Sequence, residues 1–274
     1  MDRVLDQFGA ASVRVRLEAA GVLATLEQRG FRHLDVVVDA AGWVLPHILL
    51  FGEKDGRRFL LLDACIGAAA VPADFFQRRG YPMDGSVELA VVHWVREEDP
   101  TARFAVERPA LPLQRHPGLG TLRRAFRVAI CLAREAGKDG IVSVPKFFHD
   151  AVLFFRSRLF LFLDGDEQGR FEALIRDLQP LALGDASLVI ASGGVRDATG
   201  TAIRWSPGYQ VFPISERLTG YLHSPLYAEQ VARGRNAAGF SVDADAVARA
   251  RERFGDVLAG LQLDTTPSAH PRQR

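Results

Sequence analysis

Between Leu122 and Leu163 the apolar pattern switches back and forth between two periods, and no other feature narrows the fold as much. Leu122, Phe126, Ala129, Ile130, Ala133 and Ala136 fall on one helical face that stops at Gly137 and Gly140. Ile141 to Val144 then reads as a short strand closed by Pro145, and Phe147 to Arg158 as a helix through Phe147, Ala151, Phe154 and Phe155. Phe160 to Leu163 reads as a second strand, ended by Asp164-Gly165. Helix, strand, helix and strand in succession require a sheet with helices packed on it.

The flanking segments extend this pattern. Val13, Leu17, Ala20, Leu23 and Leu26 predict one helix over Ser12 to Arg29, stopped at Gly30. Leu34 to Val38 is β-branched, and His47 to Phe51 and Arg57 to Ile66 flank Glu53-Lys-Asp-Gly56 as a hairpin. The run Phe59 to Leu62 is apolar on both sides, which predicts a sheet covered on both faces. A short helix over Pro72 to Arg79, a strand over Val87 to Val95 and a long Pro-rich loop over Arg96 to Gln114 complete the first half. Downstream, the pattern predicts a helix over Gly169 to Leu178 and a hairpin of Ser187 to Ala191 with Thr201 to Trp205, joined around Gly193-Gly194. Two terminal helices follow, one capped by Ser224-Pro225 and one over Asp243 to Leu261, with 264–274 expected as a frayed tail.

Charge and cysteine use exclude several classes. Lys and Arg number 34 against 33 Asp and Glu, so no overall field favours nucleic acid. Only Lys54, Lys138 and Lys146 are lysines, an arginine bias that reads as a GC-rich bacterial genome. The longest run without a charge, Ala40 to Gly52, is too short for the roughly 20 apolar residues of a membrane span. The opening Met1-Asp2-Arg3-Val4-Leu5-Asp6 lacks the basic, then apolar, layout of a secretory signal, so the expected location is the cytoplasm. Cys65 and Cys131 are too far apart in sequence for a metal hook and read as core thiols. The seven histidines show no HxxxH or HExxH spacing, so no metal is expected.

One segment carries chemistry. Arg115-His116-Pro117-Gly118-Leu119-Gly120 stands immediately before the clearest helix, and Thr121 opens it. Two glycines let the backbone bend so that successive amides converge, and the helix adds the positive end of its dipole. A pyrophosphate suits such a turn. In this context the segment resembles the acyl-coenzyme A loop of the GNAT superfamily of N-acetyltransferases, which carries [QR]-x-x-G-x-[GA] between a strand and a helix. The resemblance covers Leu34 to Asp164, with a second echo in Ala151-Val-Leu-Phe-Phe155 and Phe160.

The resemblance implies an α/β (α+β) fold with a mixed, mainly antiparallel sheet, a splayed central pair and helices on both faces. It divides the chain into a helical segment at 1–32, a GNAT-like core at 33–165 and a C-terminal α/β extension at 166–263. It implies acetyl-CoA or another acyl-CoA held by Arg115, His116, Gly118, Leu119, Gly120 and Thr121, and an amine acceptor from a small molecule or peptide. An attacking amine must lose a proton, and on the strand beside the loop the candidate bases are Glu88 and His93, which point to opposite faces. Phe155 stands where the family has its proton-donating Tyr, Leu159 where it has Gly, and Phe148 where Asn is common. Tyr81 is a possible substitute acid. The missing Tyr also leaves a second reading, a non-catalytic relative that senses acyl-CoA or binds a protein.

Overall fold

A computed structural model describes residues 3–41, 43–105, 110–111, 114–157, 159–243 and 245–253. Its helices are α1 (Ala10–Ala19), α2 (Val22–Gln28), α3 (Ala73–Gln77), α4 (Leu122–Glu135), α5 (Phe148–Arg156), α6 (Gly165–Leu178), α7 (Leu183–Ser192), α8 (Glu216–Leu222) and α9 (Pro225–Ala237). Its strands are β1 (Arg32–Asp39), β2 (His47–Lys54), β3 (Arg57–Val71), β4 (Val87–Glu97), β5 (Gly140–Ser143), β6 (Leu161–Phe162), β7 (Val195–Asp197), β8 (Ala202–Ile203), β9 (Gln210–Pro213) and β10 (Phe240–Val242).

The seven-stranded sheet runs β1-β2-β3-β4-β5-β9-β6, and every neighbouring pair in it is antiparallel except β4 with β5. That exception follows from α4, which carries the chain from the end of β4 back to the start of β5. The β2–β3 turn is built on Asp55 (φ +52°) and Gly56 (φ +70°), the Asp-Gly pair that a two-residue hairpin turn favours.

Helices cover both faces of the sheet. On one, Val13, Leu17, Leu26, Phe126 and Leu132 of α1, α2 and α4 pack on Ile48, Leu50, Leu62 and Val92. Each such large side chain contributes about 1.5–3 kcal/mol by leaving water. On the other face, Phe76, Leu218, Tyr221 and Tyr227 of α3, α8 and α9 meet Val71, Val87, Leu89 and Val211. A third cluster joins Phe148, Phe171, Val189 and Ala246, from α5, α6, α7 and the final helical stretch, to Phe162 of β6.

Several expectations change. The helix expected over 12–29 is two helices, broken at Gly21, whose φ of +73° interrupts the helical path. Ser187 to Ala191 is not a strand but lies inside α7, with Ala186, Ser187, Val189 and Ile190 buried; a short apolar run fits a buried helix as well as a strand. The hairpin itself is β7–β8, turning at Gly200 rather than Gly193-Gly194, with Asp197 accepting from the Thr199 and Thr201 amides. The second face is only half covered over β2 and β3, where Leu49, Phe51, Leu60 and Asp63 remain partly exposed. The stretch expected as an extension supplies β9, which lies between β5 and β6 in the main sheet. Of the helix expected over 243–261, residues 246–253 are helical; the remainder and the tail at 264–274 lie outside the described residues.

Candidate functional site

Beyond Val92 and Ser143 the parallel pair ends, and β4 runs on to Glu97 bonded only to β3. The loop before α4 returns along this free end of β4. The Asp99 amide donates to the Pro117 carbonyl at 2.7 Å, and Leu119, 1% exposed, anchors the bend in the core between the two glycines. Gly120 has φ +72°, which a Cβ would strain, whereas Gly118 adopts no left-handed conformation. The bend delivers Thr121, buried, as the residue preceding α4.

One amide at this bend, that of Thr121, meets an anionic group, and it belongs to the protein. Glu97 Oε1 accepts the Thr121 amide at 2.7 Å. Its Oε2 is buried without a partner. Burial pushes the Glu97 carboxyl up, against the opposing pull of the Thr121 and Gly120 amides and the Arg29 guanidinium. Arg29, just past α2, reaches Asp99 at 3.5 Å, and its Nη2 is 3.4 Å from where a Cβ on Gly120 would sit. The sequence pattern does not single out Glu97, Arg29 or Asp99; the first and last lie in the segment expected as a long Pro-rich crossing loop.

Sheet register builds a second cluster on the opposite face of β4. His47 lies opposite Cys65, and Cys65 opposite Trp94, so the three share one face, together with Asp63 two residues away. His47 Nδ1 and Asp63 Oδ1 are 2.7 Å apart, while Asp63 Oδ2 accepts from Trp94 Nε1 at 3.1 Å. The Trp43 ring lies 4.2 Å from the His47 ring, and Lys146 Nζ stands 4.6 Å from the Trp94 ring centre. Trp43 is 56% exposed and Trp94 37%, so this face is aromatic and open to solvent. Burial, then the Asp63 charge, pushes the Cys65 thiol up, which keeps it protonated and unlike a nucleophile.

The two candidate bases part company. His93 is the extra residue of a bulge in β4, where Cys65 pairs with Trp94 but Ile66 with Val92. Its exposed ring lies over Gly67, beside the aromatic cluster. Because of the bulge, Val95 does not share a side with Val87, Leu89 and Val91, contrary to strict alternation. Glu88 sits at the other end of β4, about 30 Å from Glu97 by strand rise, with Ser86 and Lys138 as neighbours. Glu88 thus stands on the fourth strand, at the end far from the loop.

Of the expected loop contacts, Arg115 is exposed and His116 half-buried. Tyr81 packs edge-on against Tyr221 at 5.1 Å in the second core cluster. Phe155 packs edge-on against Phe171 at 5.6 Å and brings no hydroxyl. Cys131 is not a core thiol: half-buried on α4, it donates to Glu135 Oε1. A Ser187, His149 and Asp150 series lies in the third core cluster, but Ser187 and His149 are only 2% and 4% exposed, and burial lowers the histidine to about 4. It is a neutral, hydrogen-bonded core pair with an acid beside it.

Two cavities lie elsewhere. One of about 40 Å³ between α1, α4 and the sheet is lined by apolar side chains such as Val13, Ile48 and Phe126, space for only a few waters. The other, about 290 Å³, lies beside Gly193-Gly194 with Arg196, Arg249 and Arg253 on its walls. Neither borders residues 115–121. Among the described residues no helix is long and apolar enough to cross a membrane, and no group of three His, Cys, Asp or Glu is placed to hold a metal. Compared with protein-family models, with curated proteins and with solved structures, the chain matches none.

Proposed function

We propose that the chain is a divergent acyl-CoA-dependent N-acyltransferase of the GNAT type, moving an acyl group to an amine. The observation that carries this reading is the loop at α4: its Thr121 amide holds an acid oxygen at the free end of β4, where the parallel pair stops. The mainly antiparallel sheet with one parallel pair bridged by a helix supports the same reading. Glu97 Oε1 acts as a stand-in for a phosphate oxygen, so the donor set suits a pyrophosphate, provided Glu97 yields its place. An acyl-CoA bound there would supply an activated thioester. The chain's own residues then orient it: Thr121 and Gly120 through their amides, Arg29 through its charge, and Leu119 by fixing the bend in the core.

A second reading, a non-catalytic relative in acyl-CoA sensing or protein interaction, is favoured by Glu97 filling the cradle and by Phe155 lacking a hydroxyl. Thermal unfolding with acetyl-CoA and release of free thiol over a panel of amines separate the two. The enzyme shows a ligand-dependent rise in Tm and amine-dependent thiol release. Stabilisation without thiol release supports the non-catalytic reading, and no stabilisation in either the wild type or Glu97→Gln removes both.

A further inference from the structure

We infer that the cluster on the second face of β2–β4 is an acceptor site for a flat aromatic amine, with His47 as the proton acceptor. The chemistry of this inference rests on the acyl-transfer reading; the binding does not. Asp63 has both carboxylate oxygens engaged, one by Trp94 Nε1 and one by His47 Nδ1. A carboxylate oxygen accepts, so the Nδ1 proton is held toward Asp63, and Nε2 is the ring nitrogen left to take one from an amine. Asp63 is a positioning residue; His47 is the group that meets the amine.

The surroundings select the ligand. Exposed indoles at Trp43 and Trp94 offer faces for a flat ring. The charged and titratable groups on this face are Asp39 opposite His47 in the register, Asp63, Lys146 on the Trp94 ring, Arg96 opposite Asp63, and His93 and Cys65 beside the Trp94 position, with the Arg58–Asp35 pair farther along. Asp39 and Asp63 match Lys146 and Arg96, so the face holds no excess of either sign. An arylamine, neutral near pH 7, enters it without the desolvation cost of an alkylammonium ion. In the transfer, the N–C bond forms as the thioester C–S bond breaks. One amine proton passes to His47 Nε2 and from there to the departing sulfur, which returns His47 to its starting form.

The test titrates the full chain with 4-aminobenzamide, a flat and uncharged arylamine, and follows tryptophan fluorescence. Quenching is expected, with Trp43→Ala weakening binding about tenfold and cyclohexylamine failing to compete. His47→Gln is expected to bind within about threefold of wild type while amine-dependent thiol release from acetyl-CoA falls about a hundredfold. Absence of quenching, or quenching unchanged in Trp43→Ala, overturns the site. Thiol release unchanged in His47→Gln overturns the role of His47. Binding that depends on Trp43, with no thiol released by the wild type, upholds the site and sinks the acyl-transfer reading alone.

Discussion

The two ends of β4 each set an acid against a backbone amide, and they hold it in opposite ways. At the start of the strand Asp139 accepts the Glu88 amide at 2.7 Å and pairs with Arg217, whose other donors bind the Asp84 and Ser86 carbonyls. Burial disfavours that charge, but Arg217 and the Glu88 amide outweigh it, and the Asp139 carboxyl lies below its ordinary range. At the far end Glu97 also accepts an amide, but one oxygen has no partner and burial prevails, so its carboxyl lies above its ordinary range. A fully paired acid at the entrance to β5 fastens β4 to α8. A half-paired acid holds the place that, on the proposed reading, an outside anion would take.

This contrast predicts a graded set of effects. The largest is expected for Asp139→Asn, which leaves Arg217 without its counter-charge and should cost about 2–4 kcal/mol, measured as a lower urea midpoint at unchanged slope. A loss under 1 kcal/mol would erase the difference between the ends. Next, Glu97→Gln should let acetyl-CoA raise Tm further than it does in the wild type, by a few degrees at saturating ligand, because a repelling carboxylate has gone.

The two acids also respond to pH with opposite sign. The depressed Asp139 contributes stability above its unfolded pKa, and this is lost as pH falls through its folded pKa. The raised Glu97 contributes stability below its unfolded pKa, and this is lost as pH rises through its folded pKa. Urea midpoints against pH should therefore show Glu97→Gln gaining on wild type above the ordinary carboxylate range and Asp139→Asn gaining on wild type only in acid. The smallest effect separates the two glycines of the loop. Gly120→Ala meets a φ of +72° and should cost about 1 kcal/mol, while Gly118→Ala, with its nearest neighbour the Glu97 carbonyl at 3.7 Å, should change stability by less than about 0.5 kcal/mol.

What the sequence made legible follows the same division. Elements with a strong period were readable: α4 shows a buried face of Phe126, Ala129, Leu132 and Ala133, and the Asp55-Gly56 turn marks its hairpin. Short elements set by tertiary contact were not. β9 is four residues ending in Pro213, and its buried Gln210 finds its partner in the Ala151 carbonyl of a distant helix. The loop at 115–121 was visible through its glycines, but its occupant was not, because Glu97 meets Thr121 only once β4 and α4 are in place. The His47–Asp63–Trp94 cluster depends on register across three strands, and the bulge at His93 shifts that register by one residue. A local pattern cannot carry that information.

The backbone before α4 is expected to bind a diphosphate once Glu97 no longer occupies it. Thermal unfolding of Glu97→Gln with acetyl-CoA, set against pantetheine, which has no pyrophosphate, tests this directly. A rise in Tm with acetyl-CoA that is absent with pantetheine is the predicted result. Equal shifts with both, or none with either, would contradict it.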